Sequence, residues 1–261
     1  MRLRDQVAVV TGAASGMGRA LCRELARAGM RLGLLDRNAA GITSLVGELA
    51  ATGTRCAAAV ADVRDRKAVR TTIDSLADKL GPVHLLAACA GITGATLVED
   101  LAVEDAEDIL RVNLLGVAYA IDAVLGGMLA RGRGHIVALA SLAGCRGVPF
   151  SAAYCASKAA LINYLESLRP ALRRRGITVT TVLPGFVRTP LLENARVRAP
   201  VAWMEPAQAA RHILHAIRRG HRVHAFPWGT RLGIAVLGWL PPRLYDWCMV
   251  RGAVRIPDVP Y

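Results

Sequence analysis

A single α/β domain, built as a doubly wound parallel sheet with helices on both faces, is the fold class that this sequence predicts, and three observations predict it. Short apolar runs alternate with helix-length patterns from Val7 to Leu183, as successive βαβ units require. A glycine-rich turn, Thr11-Gly12-Ala13-Ala14-Ser15-Gly16-Met17-Gly18, follows the first apolar run directly. The chain has 261 residues, 53% hydrophobic and only 5% aromatic, which suits one large Ala/Val/Leu-rich core. Parallel crossovers are almost always right-handed, which makes the sheet doubly wound.

The elements follow in order. Val7–Val10 is the first strand, and it begins so near Met1 that no signal peptide is expected. Next come a helix at Gly16–Ala28, a strand at Arg31–Leu35, a helix at Ala39–Ala51 and a strand at Thr54–Val60. A helix at Asp65–Leu80 and a strand at Val83–Ala88 continue the alternation. The long pattern Val103–Arg131 reads as two helices meeting near Asn113. It leads to a strand at His135–Ala140, a helix at Ser151–Arg175 and a strand at Thr178–Leu183. Gly29, Gly53, Gly81 and Gly176 each stand between a helical stretch and an apolar run, where a C′ glycine ends a helix.

After Pro184 the pattern loosens. The segment to about Pro200 reads as a loop or lid, followed by a helix at Pro206–Arg218 and a strand at Arg222–Phe226. The apolar stretch Leu232–Leu240, stopped by Pro241-Pro242, falls far short of the roughly 20 residues that span a bilayer. It reads as a core or substrate-covering helix, or as an interfacial helix helped by Arg231, Arg243, Trp228, Trp239 and Trp247. The expected organisation is therefore a main domain over residues 1–229 and an apolar extension over 230–261, packed on that domain or lying at a membrane surface.

The net charge is +13, from 33 basic and 20 acidic residues, with Lys67, Lys79 and Lys158 the only lysines. Such a balance attracts anionic lipid, nucleic acid or a phosphorylated cofactor. The dense runs Arg173-Arg174-Arg175 and Arg218-Arg219-Gly220-His221-Arg222 fall at expected helix ends, where cations favour the dipole. No nucleic-acid motif accompanies them, so no nucleic-acid partner is expected. Six cysteines without CxxC or metal spacing read as thiols of a reducing compartment; a cytoplasmic protein without a metal site is expected.

Three motifs point to chemistry. In the glycine-rich turn, Gly12, Gly16 and Gly18 let backbone approach a pyrophosphate seated on the positive end of the first helix. Asp36, at the end of the second strand, can accept hydrogen bonds from both hydroxyls of an adenosine ribose and repels a 2′-phosphate. Arg37 could attract that phosphate, and NAD is favoured over NADP. Asp62-Val63, after the third strand, could meet the adenine edge or simply start a helix. Tyr154 and Lys158 lie one helical turn apart, so phenol and ammonium can share a cleft, where the ammonium favours the phenolate. With Ser141 upstream, they form a proton donor and acceptor for a carbonyl/alcohol pair.

These motifs, in this order, resemble the short-chain dehydrogenase/reductase family of about 250 residues, single-domain and Rossmann-type. The likeness runs from about Val7 to Pro190. It takes in Thr11–Gly18, Asp36, Asp62-Val63, Asn113 within Val112-Asn113-Leu114-Leu115-Gly116, Ser141, Tyr154-x-x-x-Lys158 and Pro184-Gly185-Phe186-Val187-Arg188-Thr189-Pro190. The resemblance implies that Tyr154 is the general acid/base and that Lys158 holds the nicotinamide ribose and lowers the Tyr154 pKa. It implies that Ser141 binds the substrate oxygen and that Asn113 holds a water linking Lys158 to solvent. Ser15, Met17 and the glycines would cradle the phosphates, and Ala90-Gly91 would keep tight backbone near the ribose. Thr189 and the Val187 backbone, after Pro184-Gly185, would bind the carboxamide. One departure stands out. Ala88-Cys89-Ala90-Gly91 replaces the family's Asn-Asn-Ala-Gly, removing two amides and a hydrogen bond or two, each worth about 1 kcal/mol.

The expected function is hydride transfer between NAD, or NADP, and a lipophilic secondary alcohol or ketone of steroid-, retinoid- or long-chain type. Leu142, Val148, Pro149, Phe150, Phe186, Leu191 and Leu192 suggest the apolar lining. A non-catalytic, dinucleotide-sensing protein is the alternative. The resemblance also implies a homodimer or homotetramer through the long helices and the C-terminal edge strand.

Overall fold

The computed structural model describes residues 3–99, 101–194, 203–229, 232 and 239–250. Seven strands form one parallel sheet: β1 (Val7–Thr11), β2 (Arg31–Asp36), β3 (Cys56–Val60), β4 (Val83–Ala88), β5 (Gly134–Leu139), β6 (Ile177–Pro184) and β7 (Val223–Phe226). Their order is β3-β2-β1-β4-β5-β6-β7, so the winding reverses between β1 and β4. The first six strands answer to the expected ones within two residues at each end. β3 begins at Cys56 and not at Thr54, because the Thr54 amide donates to the Leu49 carbonyl and closes the preceding helix.

Helices cover both faces, which explains why the strands are continuously apolar rather than alternating. On one face lie α1 (Gly16–Arg27), α2 (Ala39–Ala51) and α8 (Pro206–Arg219). There Leu21, Leu25, Leu45, Ile213 and Ile217 pack on Ala8, Val10, Leu34, Leu85 and Val137. On the other lie α3 (Arg66–Leu80), α5 (Gly116–Ala130) and α6 (Ala152–Arg174). Ile73, Leu76, Ile121, Val124, Leu161 and Leu165 meet Val9, Leu35, Leu86, Ile136 and Val179 there. Adjacent strand residues thus serve opposite cores, as a period of two requires.

Local chemistry fixes the boundaries. The side chains of Asn38 and Asp65 cap α2 and α3, and Glu205 with Gln208 forms a capping box around Pro206 at the start of α8. Gly29, Gly53, Gly81 and Gly176 all have positive φ, as expected of helix-ending glycines. The Val103–Arg131 pattern divides into α4 (Val103–Leu110), a π-turn at Arg111–Leu115 and α5, with Asn113 at the centre of the turn. By length and composition the run Val103–Ala130 could cross a membrane, but half of its most apolar window is buried in the core.

Beyond β6, the expected loop or lid includes a short helix, α7 (Pro190–Asn194), with proline at its first position. Residues 195–202 of that segment lie outside the described residues. So does most of the apolar stretch Leu232–Leu240, apart from Leu232, Trp239 and Leu240. A C-terminal helix, α9 (Pro242–Val250), follows the proline pair.

Leu85 is fully buried in the central strand β4. Leu85→Ala is expected to cost about 2–5 kcal/mol of stability, with little change in denaturant slope, in urea unfolding followed by circular dichroism.

Candidate active site

At the carboxyl ends of the strands, where their order reverses, a cavity of about 500 Å³ opens. This is where an open α/β sheet binds its ligands, because the loops diverge there and leave a crevice. Gly12, Ser15, Gly16, Met17, Gly18, Asp36, Arg37, Asp62, Val63, Ala90, Gly91, Tyr154, Lys158 and Thr189 all line it. Residues as far apart in sequence as Gly12 and Leu191 thereby share one wall.

The glycine turn is shaped by contact. Gly12 has φ +67°, and a Cβ there would lie 2.6 Å from the Ala90 amide nitrogen. A Cβ on Gly18 would lie 2.0 Å from the Gly12 carbonyl oxygen. The turn therefore packs directly on the loop after β4. Ser15 precedes α1 with extended backbone and no side-chain cap, so the first amides of that helix face the cavity without a hydroxyl partner from it. An uncapped helix start on a crevice that runs from Asp36 and Arg37 to Lys158 fits a dinucleotide, with its pyrophosphate on the helix end.

Asp36 is doubly held. Its Oδ2 accepts from the Ala14 amide and its Oδ1 from the Asn38 amide, both at 2.9 Å. Each oxygen retains a second lone pair, so the carboxylate still has capacity for ribose hydroxyls. Asp62 is more fully committed. Both of its oxygens pair with Arg64 at 2.8–3.2 Å, and Arg64 holds its carboxyl below the usual range. It does not start a helix; Asp65 takes that role.

At the other end, Ser141 closes β5 and accepts a hydrogen bond from the Ala143 amide at 3.1 Å, capping the short turn Leu142–Gly144. Tyr154 is half-buried near the start of α6. Burial pushes its phenol up to about 12, and a hydrogen bond with Ser141 acts the other way. Lys158 is buried, and its Nζ donates to the Leu139 carbonyl at 2.8 Å and lies 5.7 Å from the centroid of the Tyr154 ring. Burial brings its ammonium down to about 8. Desolvation disfavours the charged form of both groups.

Asn113 and Ser141 stand immediately behind the cavity wall. Asn113 is fully buried, and its amide donates to the Ile92 carbonyl and to Ser157 Oγ while accepting from the Ile92 amide. Pro184, Gly185 and Val187 are not in the wall. Their segment is engaged elsewhere: the Gly185 amide donates to Phe226, and Val187 bridges Met204. The wall also includes Asn38, Ala61, Cys89, Ile92, Val112, Leu139, Ala140, Pro190 and Leu191. Sequence reasoning assigned most of these no contact, yet nearly all lie within two residues of a motif at a strand end. Burial raises the Cys89 thiol to about 12, so it is not a reactive thiolate at neutral pH.

Sheet order, crevice and glycine turn together define a Rossmann-type nucleotide-binding protein. The family profile described as short chain dehydrogenase matches residues 6–199, and the chain belongs to that family of oxidoreductases. It is 37% identical over 241 residues to an uncharacterized oxidoreductase of Myxococcus xanthus, covering 92% of this chain and 95% of the relative. A short chain dehydrogenase/reductase from Burkholderia phymatum in complex with NAD superposes with a TM-score of 0.84 at 26% identity, over 100% of this chain and 99% of the other. A variant of actinorhodin polyketide ketoreductase with NADPH gives 0.79 at 31% identity, over 87% of this chain and 97% of the other.

The shift of Lys158 from 10.5 to about 8 has a consequence for stability. Below pH 8 the folded protein carries the burial cost of the ammonium. As pH rises toward 10.5 the unfolded chain binds the extra proton, so the contribution of this group to stability increases. In thermal melts from about pH 7 to 10, wild type should therefore gain on Lys158→Met as pH rises. A difference independent of pH would contradict this.

Proposed function

We propose that this protein is a nicotinamide-dependent oxidoreductase of secondary alcohols and ketones, with Tyr154 as its general acid/base. The observation that carries this reading is the Ser141–Tyr154 hydrogen bond, with Lys158 one turn further along the same helix, at the end of a crevice that begins at the glycine turn. A bound nicotinamide would supply or take up the hydride. Tyr154 exchanges the proton with the substrate oxygen, and Ser141 Oγ hydrogen-bonds the same oxygen as charge develops on it. Lys158, whose Nζ donates to the Leu139 carbonyl, would hold the cofactor ribose. With its pKa near 12 the phenol keeps its proton at neutral pH, the form that donates to a carbonyl.

NAD is the favoured cofactor, because Asp36 places a carboxylate at the end of β2, where a 2′-phosphate would meet it; Arg37 beside it is the feature that would admit NADP. The apolar residues around the loop after Ser141 and in the 186–192 segment support a lipophilic substrate. The reading includes a homo-oligomer in the cytoplasm and a C-terminal extension, residues 230–261, that covers the substrate side or meets a membrane.

Two experiments test it. Tyr154→Phe should lower turnover of a small ketone by roughly 10²- to 10⁴-fold while leaving cofactor fluorescence titrations unchanged; retained turnover would overturn the assignment. Calorimetry with Asp36→Asn, which removes charge and keeps an acceptor, should show the preference for NAD over NADP reduced by about tenfold, or about 1.4 kcal/mol. Tighter binding of NADP by wild type would mean that Arg37 outweighs Asp36.

A further inference from the structure

A short irregular link, residues 145–150, joins the Ser141 turn to the start of α6, where Tyr154 stands. The course of this link therefore sets how Ser141 and Tyr154 face each other. It does not run in a relaxed conformation: Phe150 has φ +60°, a left-handed value that a bulky residue keeps only where its neighbours hold it.

Some of those neighbours are close in the fold. The Thr96 amide donates to the Phe150 carbonyl at 2.8 Å, and Thr96 Oγ1 accepts from the Ala153 amide at 3.4 Å. The Val148 amide donates to Sγ of Cys155, the residue after Tyr154, at 3.3 Å.

The first half of the link is held from the far end of the chain. The Tyr245 hydroxyl, in α9, donates to the Gly147 carbonyl. The Arg146 guanidinium stacks 4.2 Å above the ring of the same tyrosine and donates to the Leu240 carbonyl at 3.4 Å. Tyr245, Cys248 and Met249 are the covered side chains of α9 and share one helical face, so Tyr245 lies on the side turned to the domain. Burial pushes its phenol up, so at neutral pH it keeps the proton that it donates. Neither Arg146 nor Tyr245 lines the cofactor crevice.

We propose that Arg146 and Tyr245 are positioning residues for the Ser141–Tyr154 pair. Through them α9 fixes the 145–150 link, and with it the geometry in which both oxygens meet a substrate carbonyl or alcohol. The clasp stands on the contacts themselves; its effect on turnover rests on the oxidoreductase reading given above. The rival role is anchorage alone, in which the same contacts hold α9 on the domain and leave the site indifferent.

The test uses full-length protein with Tyr245→Phe, which keeps the ring under Arg146 and removes only the hydroxyl, Arg146→Met, Arg146→Lys and the double variant Tyr245→Phe/Arg146→Met. Turnover of a small ketone, cofactor affinity by fluorescence titration, and amide hydrogen exchange across residues 142–156 are measured on each. Tyr245→Phe and Arg146→Met should lower kcat about tenfold, leave cofactor affinity within about twofold, and speed exchange in the link. Arg146→Lys, which keeps a cation over the ring, should lose less than Arg146→Met. The double variant should be no worse than the weaker single one, because the two side chains form one clasp. Unchanged kcat with faster exchange confined to α9 would assign the contacts to anchorage and overturn the proposal. So would cofactor affinity falling in step with kcat, the mark of general damage to the fold. If wild type turns over no ketone, the oxidoreductase reading fails; faster exchange in the link of the variants then still supports the clasp, and unchanged exchange overturns it.

Discussion

The buried amide of Asn113 holds together the parts on which the site depends. It sits in the π-turn between α4 and α5, accepts from the Ile92 amide, and donates to the Ile92 carbonyl and to Ser157 Oγ, at 2.9–3.0 Å. Each of these groups would lose about 1–3 kcal/mol if left buried without a partner, so the arrangement is strongly determined. One side chain thereby ties the loop after β4 to the interior of a helix and to α6. Ser157 adjoins Lys158, whose ammonium is in turn fixed on the last carbonyl of β5. An ordinary α-helical turn at this point would carry Asn113 on a different rotation, and π-turns recur where a helix must present a functional residue.

The second determinant is desolvation. Tyr154 and Lys158 are both pushed toward their neutral forms, to about 12 and about 8. A pair in this condition responds strongly to any charge brought beside it, because the low local dielectric that raises the cost of ionisation also strengthens each interaction. Spacing alone suggested that the ammonium would lower the phenol. Burial acts on the phenol in the opposite sense, and only the packed structure supplies the magnitude of burial.

Much of the site was legible because its motifs are local. The glycine turn, Asp36 at a strand end, Ser141 after a strand and the Tyr154/Lys158 spacing all fall within single elements or their junctions, and the cavity gathers nearly all of them. Other expected residues have partners that their motifs did not show. Asp62 pairs with Arg64 two positions on, and the backbone of Gly185 and Val187 meets Phe226 and Met204. Asn38, Leu139 and Ala140 reach the cavity because strand ends converge there, a fact of sheet order rather than of composition.

The sequence by itself determined the class of fold and nominated the residues of the candidate site. Apolar periodicity decides helix or strand locally, and glycines, carboxylates and a Tyr–Lys turn have few other uses in that order. The tertiary structure alone decided where the sheet reverses and which carboxylate remains available to a ligand. It also decided how deeply the Tyr–Lys pair is buried, and that the C-terminal helix is clasped to the Ser141–Tyr154 loop by Arg146 and Tyr245. Apart from the Asp62–Arg64 pair, those outcomes rest on contacts between residues tens to nearly a hundred positions apart, whose energies exist only once the core has closed around them.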